Sequence, residues 1–492
     1  MISLNICPDK LNATREFEWA RDTSTQRRAI QQHWTKYKMH ISNKFYIDVQ
    51  GIRNYIRHNN TVSGVQRVIH ELIKNCRSQG LQEVYLSYFD TGSKQYVSVP
   101  LLSENSISTL SIDQLRSMLW PKEWLDARYG LAKYKGRTAK YRIKYLQASI
   151  LGRRGLSADD FRRDREKVSF YNPRPVLETS TQNDVLLLMD AYIDTIGVKE
   201  TFKDLRSRGV RVVQFMHDII PADHSYLYYE DHARNFTTWL CETVEYTSHY
   251  ICNSDETSNN LRGFLNTKGR EHKVSVVKLA REKVMLAPKN KSSTEDFNLY
   301  LGVRGEARSL LAHRYVLCVG TREIRKNNWR LLRAWKMLQR RDVNGLPKLV
   351  FAGRRGWLNG DFEKFLEASG NLDGLVEIID GPSDVELEFL YENCFFTAYV
   401  SICEGWGLPI GEAIAYGKCG IYSRTAPMPE VGLDSGVYCD PDSIESIADA
   451  AELLIRDDNF RMILEGKAQA IGMRTWGTVS HEIIETLRTE TA

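Results

Sequence analysis

"FTAYVSICEGWGLPIGEAIAYGK", residues 396–418, decides how this chain is read. The first six residues are apolar and rich in strand formers, the pattern of a short buried strand. Glycines at 405 and 407 then allow a turn or a close approach of backbone to a ligand. Pro409 suits the first turn of a helix, where its missing N–H costs nothing. Gly417 can end that helix. The stretch is therefore strand, loop and helix, with Glu404 on the loop and Glu412 about one turn into the helix. The helix start offers unpaired N–H groups and a partial positive charge, which suit a phosphate. Carboxylates beside a phosphate are repelled unless they bind neutral donors, and sugar hydroxyls are such donors. The ordinary alternative is a helix start carrying an acid that favours the dipole.

The same rhythm extends in both directions. Downstream of residue 303 the strands read "RYVLCVG", "KLVFAG", "VEIIDG", "FTAYVS", "GIYSR" and "GVYCD", each followed by helical sequence. "SDVELEFLYENC" opens with Ser383 and Glu386 at capping-box spacing. Upstream, "KFYIDV", "VYLSYF", "DVLLLMDAY", "RVVQFMHD", "YICNS" and "KVSVVKL" alternate with helices such as "VQRVIHELIKNC". Alternation of this kind predicts two doubly wound α/β domains, over 44–285 and 303–475, with ligands at the carboxyl ends of the strands. Residues 1–43 read as a helical extension, about 101–180 as an insertion, 286–302 as a linker and 476–492 as a helix crossing back to the first domain.

Composition is that of a globular chain: 492 residues, 42% hydrophobic, 26% charged, net charge +5. No apolar run approaches the roughly 18–20 residues a membrane span needs, and the N-terminus lacks a signal-peptide pattern. Nine scattered cysteines without a C-x-x-C pair read as free thiols in a reducing cytoplasm. Between Arg128 and Arg154 lie nine Lys/Arg and no acid, interleaved with tyrosines. That segment fits a peripheral contact with an anionic face of the cytoplasmic membrane, or a solvated insert. Nothing around it resembles a nucleic-acid module.

With these motifs in order, the chain resembles the family 4 retaining glycosyltransferases, which have the GT-B fold: two Rossmann-like domains facing across a cleft. "EGWGLPIGE" is their E-x7-E pattern. "CVGTREIRKNNWRLLRAWKML" resembles the phosphate-binding stretch that opens their second domain. "FYIDV…SGVQRVIHELI" and "FMHDIIP" resemble segments of the first. The set is similar to bacterial mannosyl- and rhamnosyltransferases of surface polysaccharide and lipopolysaccharide assembly.

The resemblance implies roles residue by residue. Glu404 is expected to hydrogen-bond the transferred sugar and Glu412 the ribose hydroxyls. Arg325 and Lys326 are expected to meet the donor diphosphate, and His217 to donate to a sugar hydroxyl from the first domain. Donor contacts are expected along Gly405, Trp406, Gly407 and Leu408, at Gly320, Thr321 and Arg322, and at Gly353. Gly64 and Arg67 are expected to reach the donor from the opposing domain, with salt bridging an open alternative for Arg67. Some relatives carry an arginine directly after the strand-end glycine; here Thr321 stands there and Arg322 follows. No Asp-x-Asp motif lies where a metal would bridge the diphosphate, so neither metal nor other cofactor is expected. The implied reaction moves a hexose from a nucleotide-diphosphate sugar, GDP-mannose or similar, to a glycan or lipid-linked acceptor. The alternatives are a nucleotide-sugar epimerase of the same fold and an inactive nucleotide-sugar-binding scaffold.

Overall fold

A computed structural model describes residues 43–59, 61–62, 64–76, 78–81, 83–101, 110–128, 163–164, 171–193, 195, 197–284 and 302–489. The chain divides into 1–43 and 44–492. The expected N-terminal extension, the linker and the basic segment beyond Arg128 lie outside the described residues.

Residues 44–492 carry two sheets. The first has eight strands in the order β4-β3-β2-β1-β5-β6-β7-β8. These are β1 (Phe45–Asp48), β2 (Val84–Asp90), β3 (Gln95–Pro100), β4 (Arg174–Pro175), β5 (Val185–Leu188), β6 (Arg211–Met216), β7 (His249–Cys252) and β8 (Lys273–Val276). Every neighbouring pair is parallel except β2–β3 and β3–β4. That antiparallel edge was not legible: "QYVSVP" is short and ends in Pro100, which reads as a stop rather than as the end of an edge strand.

The second sheet is parallel throughout, in the order β11-β10-β9-β12-β13-β14. Its strands are β9 (Tyr315–Val319), β10 (Lys348–Ala352), β11 (Val376–Ile379), β12 (Phe396–Tyr399), β13 (Gly420–Ser423) and β14 (Gly436–Cys439). This is the 3-2-1-4-5-6 order of a doubly wound nucleotide-binding sheet, and its order reverses between β9 and β12. In the first sheet the reversal falls between β1 and β5.

Eight helices matter below: α1 (Val65–Cys76), α2 (Val198–Ser207), α3 (Glu230–Tyr246), α4 (Asp255–Thr267), α5 (Asn328–Arg340), α6 (Asp384–Asn393), α7 (Leu408–Ala415) and α8 (Trp476–Arg488). The capping box of α6 forms as its sequence predicts, with Ser383 and Glu386 bonding reciprocally. α1 buries Val68, Ile69, Leu72, Ile73 and Cys76, the face its spacing predicts. α8 closes the same core with Val479, Ile483, Ile484 and Leu487. Each such side chain is worth about 1.5–3 kcal/mol, so a charge at Ile483 would detach the helix. Among the described residues eight cysteines are free thiols, most of them buried, and no helix is long and apolar enough to cross a membrane.

Candidate active site

The loops leaving β9 and β12 flank the reversal point of the second sheet, and side chains stitch them together. Asn327, in the left-handed region at φ 60°, donates through Nδ2 to the Val400 carbonyl at 2.9 Å and to the Pro441 carbonyl at 2.7 Å. Ile402 N–H donates to the Arg325 carbonyl at 2.9 Å. This stitching brings Arg325 and Lys326 against Glu404.

Glu404 is 8% exposed, with both carboxylate oxygens engaged. Lys326 Nζ donates to Oε1 at 2.7 Å, and Arg325 donates to Oε2. Lys326 also donates to the Tyr399 hydroxyl at 2.7 Å. Arg325 also pairs with Glu323 at 2.7 Å and donates to the Cys403 carbonyl at 3.1 Å. Burial alone would raise the Glu404 carboxyl pKa; the facing cations outweigh it and bring it down to about 2. Burial would lower the Arg325 pKa, and Glu404 and Glu323 instead hold it well above the usual value. Two cations and two carboxylates thus neutralise each other at the strand ends.

α7 begins directly after this cluster. Its N-cap, Gly407, sits at φ 114°, and no side chain caps the helix start. Pro409 occupies the first turn, as expected. Trp406 is 3% exposed and belongs to the same apolar core as Tyr399 and Ile410. Its indole Nε1 is buried without a hydrogen-bond acceptor. Gly405 packs against the first domain. A Cβ there would lie 2.0 Å from the His217 carbonyl oxygen, so only glycine permits the contact.

His217 ends β6. Its Nε2 lies 3.0 Å from the Met189 carbonyl, and because a carbonyl only accepts, Nε2 carries the proton. Burial lowers the ring pKa to about 4, so the imidazole is neutral near pH 7. Its remaining nitrogen, Nδ1, is an acceptor. The expected donation to a sugar hydroxyl is reversed: this ring can take a hydrogen bond from a hydroxyl, not give one.

Glu412 meets the first domain through Arg67, which also reaches Asp384. The contacts are 3.3 Å to Glu412 Oε1 and 2.7 Å to Asp384 Oδ1. Tyr391 donates its hydroxyl to Glu412 Oε2 at 2.8 Å. Burial raises the Glu412 pKa, Arg67 opposing it. Arg67 therefore takes the salt-bridging alternative, as a clasp between domains. Gly64, before α1, is at φ 54° with open space around it. Ser63 lies outside the described residues.

The remaining candidates separate. Gly320, at φ 145°, abuts the Lys326 stem, and a Cβ on Gly353 would fall 2.0 Å from the Gly320 carbonyl oxygen. Gly353 is thus a packing glycine between two loops. Arg322 is 6% exposed; it donates to the Gly353 carbonyl and pairs with Asp380 at 3.1 Å. Through these contacts it braces the loop. Thr321 is exposed. Leu408 packs partly buried against the core. Further contacts tie the domains together: Trp357 stacks on Tyr228 at 5.6 Å and donates to the Leu227 carbonyl at 3.0 Å. Glu430 accepts from Asp255 N–H at the start of α4 and pairs with Lys278 at 3.0 Å.

Sequence reading missed Glu323, Tyr399, Asp384 and Tyr391. Glu323 lay inside the "TREIRKNN" motif and was the one legible signal; the others are polar groups in apolar strand or helix patterns.

Residues 307–470 match the family model described as "Glycosyl transferases group 1". Two curated relatives from Escherichia coli match. O-antigen chain mannosyltransferase B is 34% identical over 158 residues, 32% of this chain and 41% of that protein. Serotype-specific mannosyltransferase WbdA is 24% identical over 337 residues, 65% of this chain and 38% of that protein. The chain thus spans about two fifths of the length of these relatives. Among solved structures, Anabaena Alr3699/HepE in complex with UDP and glucose aligns with a TM-score of 0.55 at 14% identity, covering 91% of this chain and 100% of that one. Fold and site define a GT-B architecture. Within it, residues 307–470 are similar to the group 1 glycosyl transferases.

Proposed function

We propose that this chain is a retaining, metal-independent hexosyltransferase that uses a nucleotide-diphosphate sugar, GDP-mannose or similar, and a glycan or lipid-linked acceptor in surface-polysaccharide assembly. The observation that carries the proposal is the buried Glu404–Arg325–Lys326 cluster, set beside an uncapped helix start at the reversal point of the sheet and against His217 of the other domain. The mannosyltransferase relatives support the sugar and the pathway.

In this reading the donor diphosphate lies at the start of α7. Arg325 and Lys326 exchange Glu404 for phosphate oxygens and stabilise the charge that grows on the leaving group. Glu404, released, accepts from a hydroxyl of the transferred sugar. Glu412 accepts from the ribose hydroxyls in exchange for Arg67. His217 Nδ1 accepts from a sugar hydroxyl on the opposite side. The bond from the anomeric carbon to the phosphate oxygen breaks, and the acceptor oxygen bonds to that carbon from the same face. The acceptor proton passes to the departing phosphate, so no carboxylate acts as nucleophile. Contact between the domains at Gly405 keeps water, a rival acceptor, out.

The test incubates the protein with a panel of nucleotide sugars and α-mannosides, with and without EDTA. Free nucleoside diphosphate and a product with the donor's anomeric configuration support the reading. An epimerised donor, an inverted product or loss of activity with EDTA overturns it in turn for reaction, stereochemistry or metal independence.

A further inference from the structure

Each sheet reverses its strand order once, and ligands of doubly wound sheets sit where that happens. A donor at the start of α7 occupies the reversal between β9 and β12. The first sheet has its own, between β1 and β5. Two carboxylates stand there: Asp48 at the end of β1, and Asp190 two residues beyond β5.

Asp48 is fully buried, with both oxygens engaged. Tyr96 donates to Oδ1 at 3.1 Å, Tyr192 donates to the same oxygen, and Met189 N–H lies 3.4 Å from Oδ2. It is a structural post, holding the residue whose carbonyl fixes His217. Asp190 is different. It is partly exposed, and its Oδ1 accepts from the N–H of Ala191 at 2.8 Å. Its Oδ2 has no hydrogen bond and no ion pair among the described residues. That oxygen lies over Gly51, in the helix Gln50–Ile56 that follows β1; a Cβ on Gly51 would fall 1.9 Å from it. Burial pushes the Asp190 carboxyl up to about 6, and no cation offsets the cost. An asparagine would fill the same space without that cost, so the charge answers to something other than the fold.

The chemistry of the missing partner follows from its surroundings. Asp48 and Asp190 are close enough to repel one another, and together they repel a phosphate. His217, on the neighbouring strand β6, offers Nδ1, which is again an acceptor. A ligand here must therefore bring hydrogen-bond donors and carry no negative charge at this end. A sugar ring with free hydroxyls does so; the donor diphosphate does not.

We propose that Asp190 is a specificity-determining residue for the acceptor: its Oδ2 accepts from a hydroxyl of the acceptor sugar beside the one that reacts. The inference rests on the transferase reading above and assigns the acceptor a contact in the first domain. A hydrogen bond to a charged group corresponds to roughly 10–100-fold in affinity.

The test uses methyl α-mannoside and its 2-, 3-, 4- and 6-deoxy derivatives as acceptors, with saturating GDP-mannose. In the wild type, the derivative lacking the reacting hydroxyl gives no product, and one other should show a KM raised about 10–100-fold. Asp190→Asn keeps the shape and removes the charge. It should raise KM for the parent mannoside about 10-fold, and the second deletion should then add less than about 2-fold. KM for GDP-mannose and donor hydrolysis should stay unchanged. Because the charge is unpaired, the variant should melt at or above the wild-type temperature; a lower one makes the carboxylate structural. Gly51→Ala, which crowds Oδ2, should reproduce the change in mannoside KM. An unchanged mannoside KM in Asp190→Asn, or deletions that cost both proteins equally, overturns the assignment and leaves the transferase reading standing. Saturation-transfer NMR of the mannoside without donor reads binding separately. A wild type that binds the mannoside more tightly than Asp190→Asn, yet turns over no donor, overturns the transferase reading and leaves the Asp190 contact standing. Neither binding nor turnover overturns both.

Discussion

Glu404→Gln is the sharpest test of the cluster. The substitution keeps shape and removes charge. In the native protein this carboxyl ionises at about 2 rather than at 4.5, a difference worth about 3 kcal/mol. Removing one member of a buried ion pair costs about 3–5 kcal/mol. Here the low end applies, because Arg325 keeps Glu323 and the Cys403 carbonyl, and Lys326 keeps Tyr399. The expected loss near pH 7 is therefore about 3 kcal/mol, read from urea unfolding of wild type and variant side by side. The sign with pH follows from the depressed native value: the contribution is complete above 4.5 and disappears as pH falls towards 2. The gap between the two proteins should accordingly close in acid. Donor turnover should fall on the order of 100–1000-fold. A gap under about 1 kcal/mol at pH 7, or one that persists at pH 2, would refute the buried-pair reasoning. Full turnover despite a large stability loss would make the cluster purely structural.

Arg67→Met should loosen the contact between domains and leave Glu412 buried without its cation; limited proteolysis should detect faster cleavage between the domains. Combining it with Glu412→Gln should cost less than the two singles added together, and strict additivity in unfolding free energies would show that the pair is not coupled. Gly405→Ala puts a methyl group where only 2.0 Å separates an ideal Cβ from the His217 carbonyl oxygen; kcat should fall about 100-fold with donor affinity retained, and wild-type kcat would show that the approach is not needed. His217 has its pKa lowered to about 4 by burial, against 6.5 in the open chain. Its unfolded form takes up the proton first, so wild-type stability should decline as pH drops from 6.5 to 4, and His217→Gln should flatten that decline in an unfolding series.

Much of this architecture was legible because parallel strands are buried on both faces, and runs such as "KLVFAG" and "VLLLM" leave little choice. β3 and β4 were not, since a hairpin edge needs a partner that sequence does not mark. Glu404, Arg325 and Lys326 were expected together through the family resemblance, and the reversal of strand order that brings their loops side by side is not marked in the sequence. Arg67 and Glu412 lie 345 positions apart, and no local pattern announces that a helix-surface arginine is buried against another domain. The proton position on His217 depended on Met189, a backbone partner invisible to any motif.

The last helix has a consequence for biosynthesis. Arg488 of α8 donates to the carbonyl of Gln79, 409 positions earlier, and the core under α1 lacks four of its apolar side chains until Val479–Leu487 arrive. Domains made first on the ribosome ordinarily fold first. This one must wait with a greasy trough along α1 until the second domain has emerged, so truncated translation products keep that trough uncovered and are marked for chaperones and proteases.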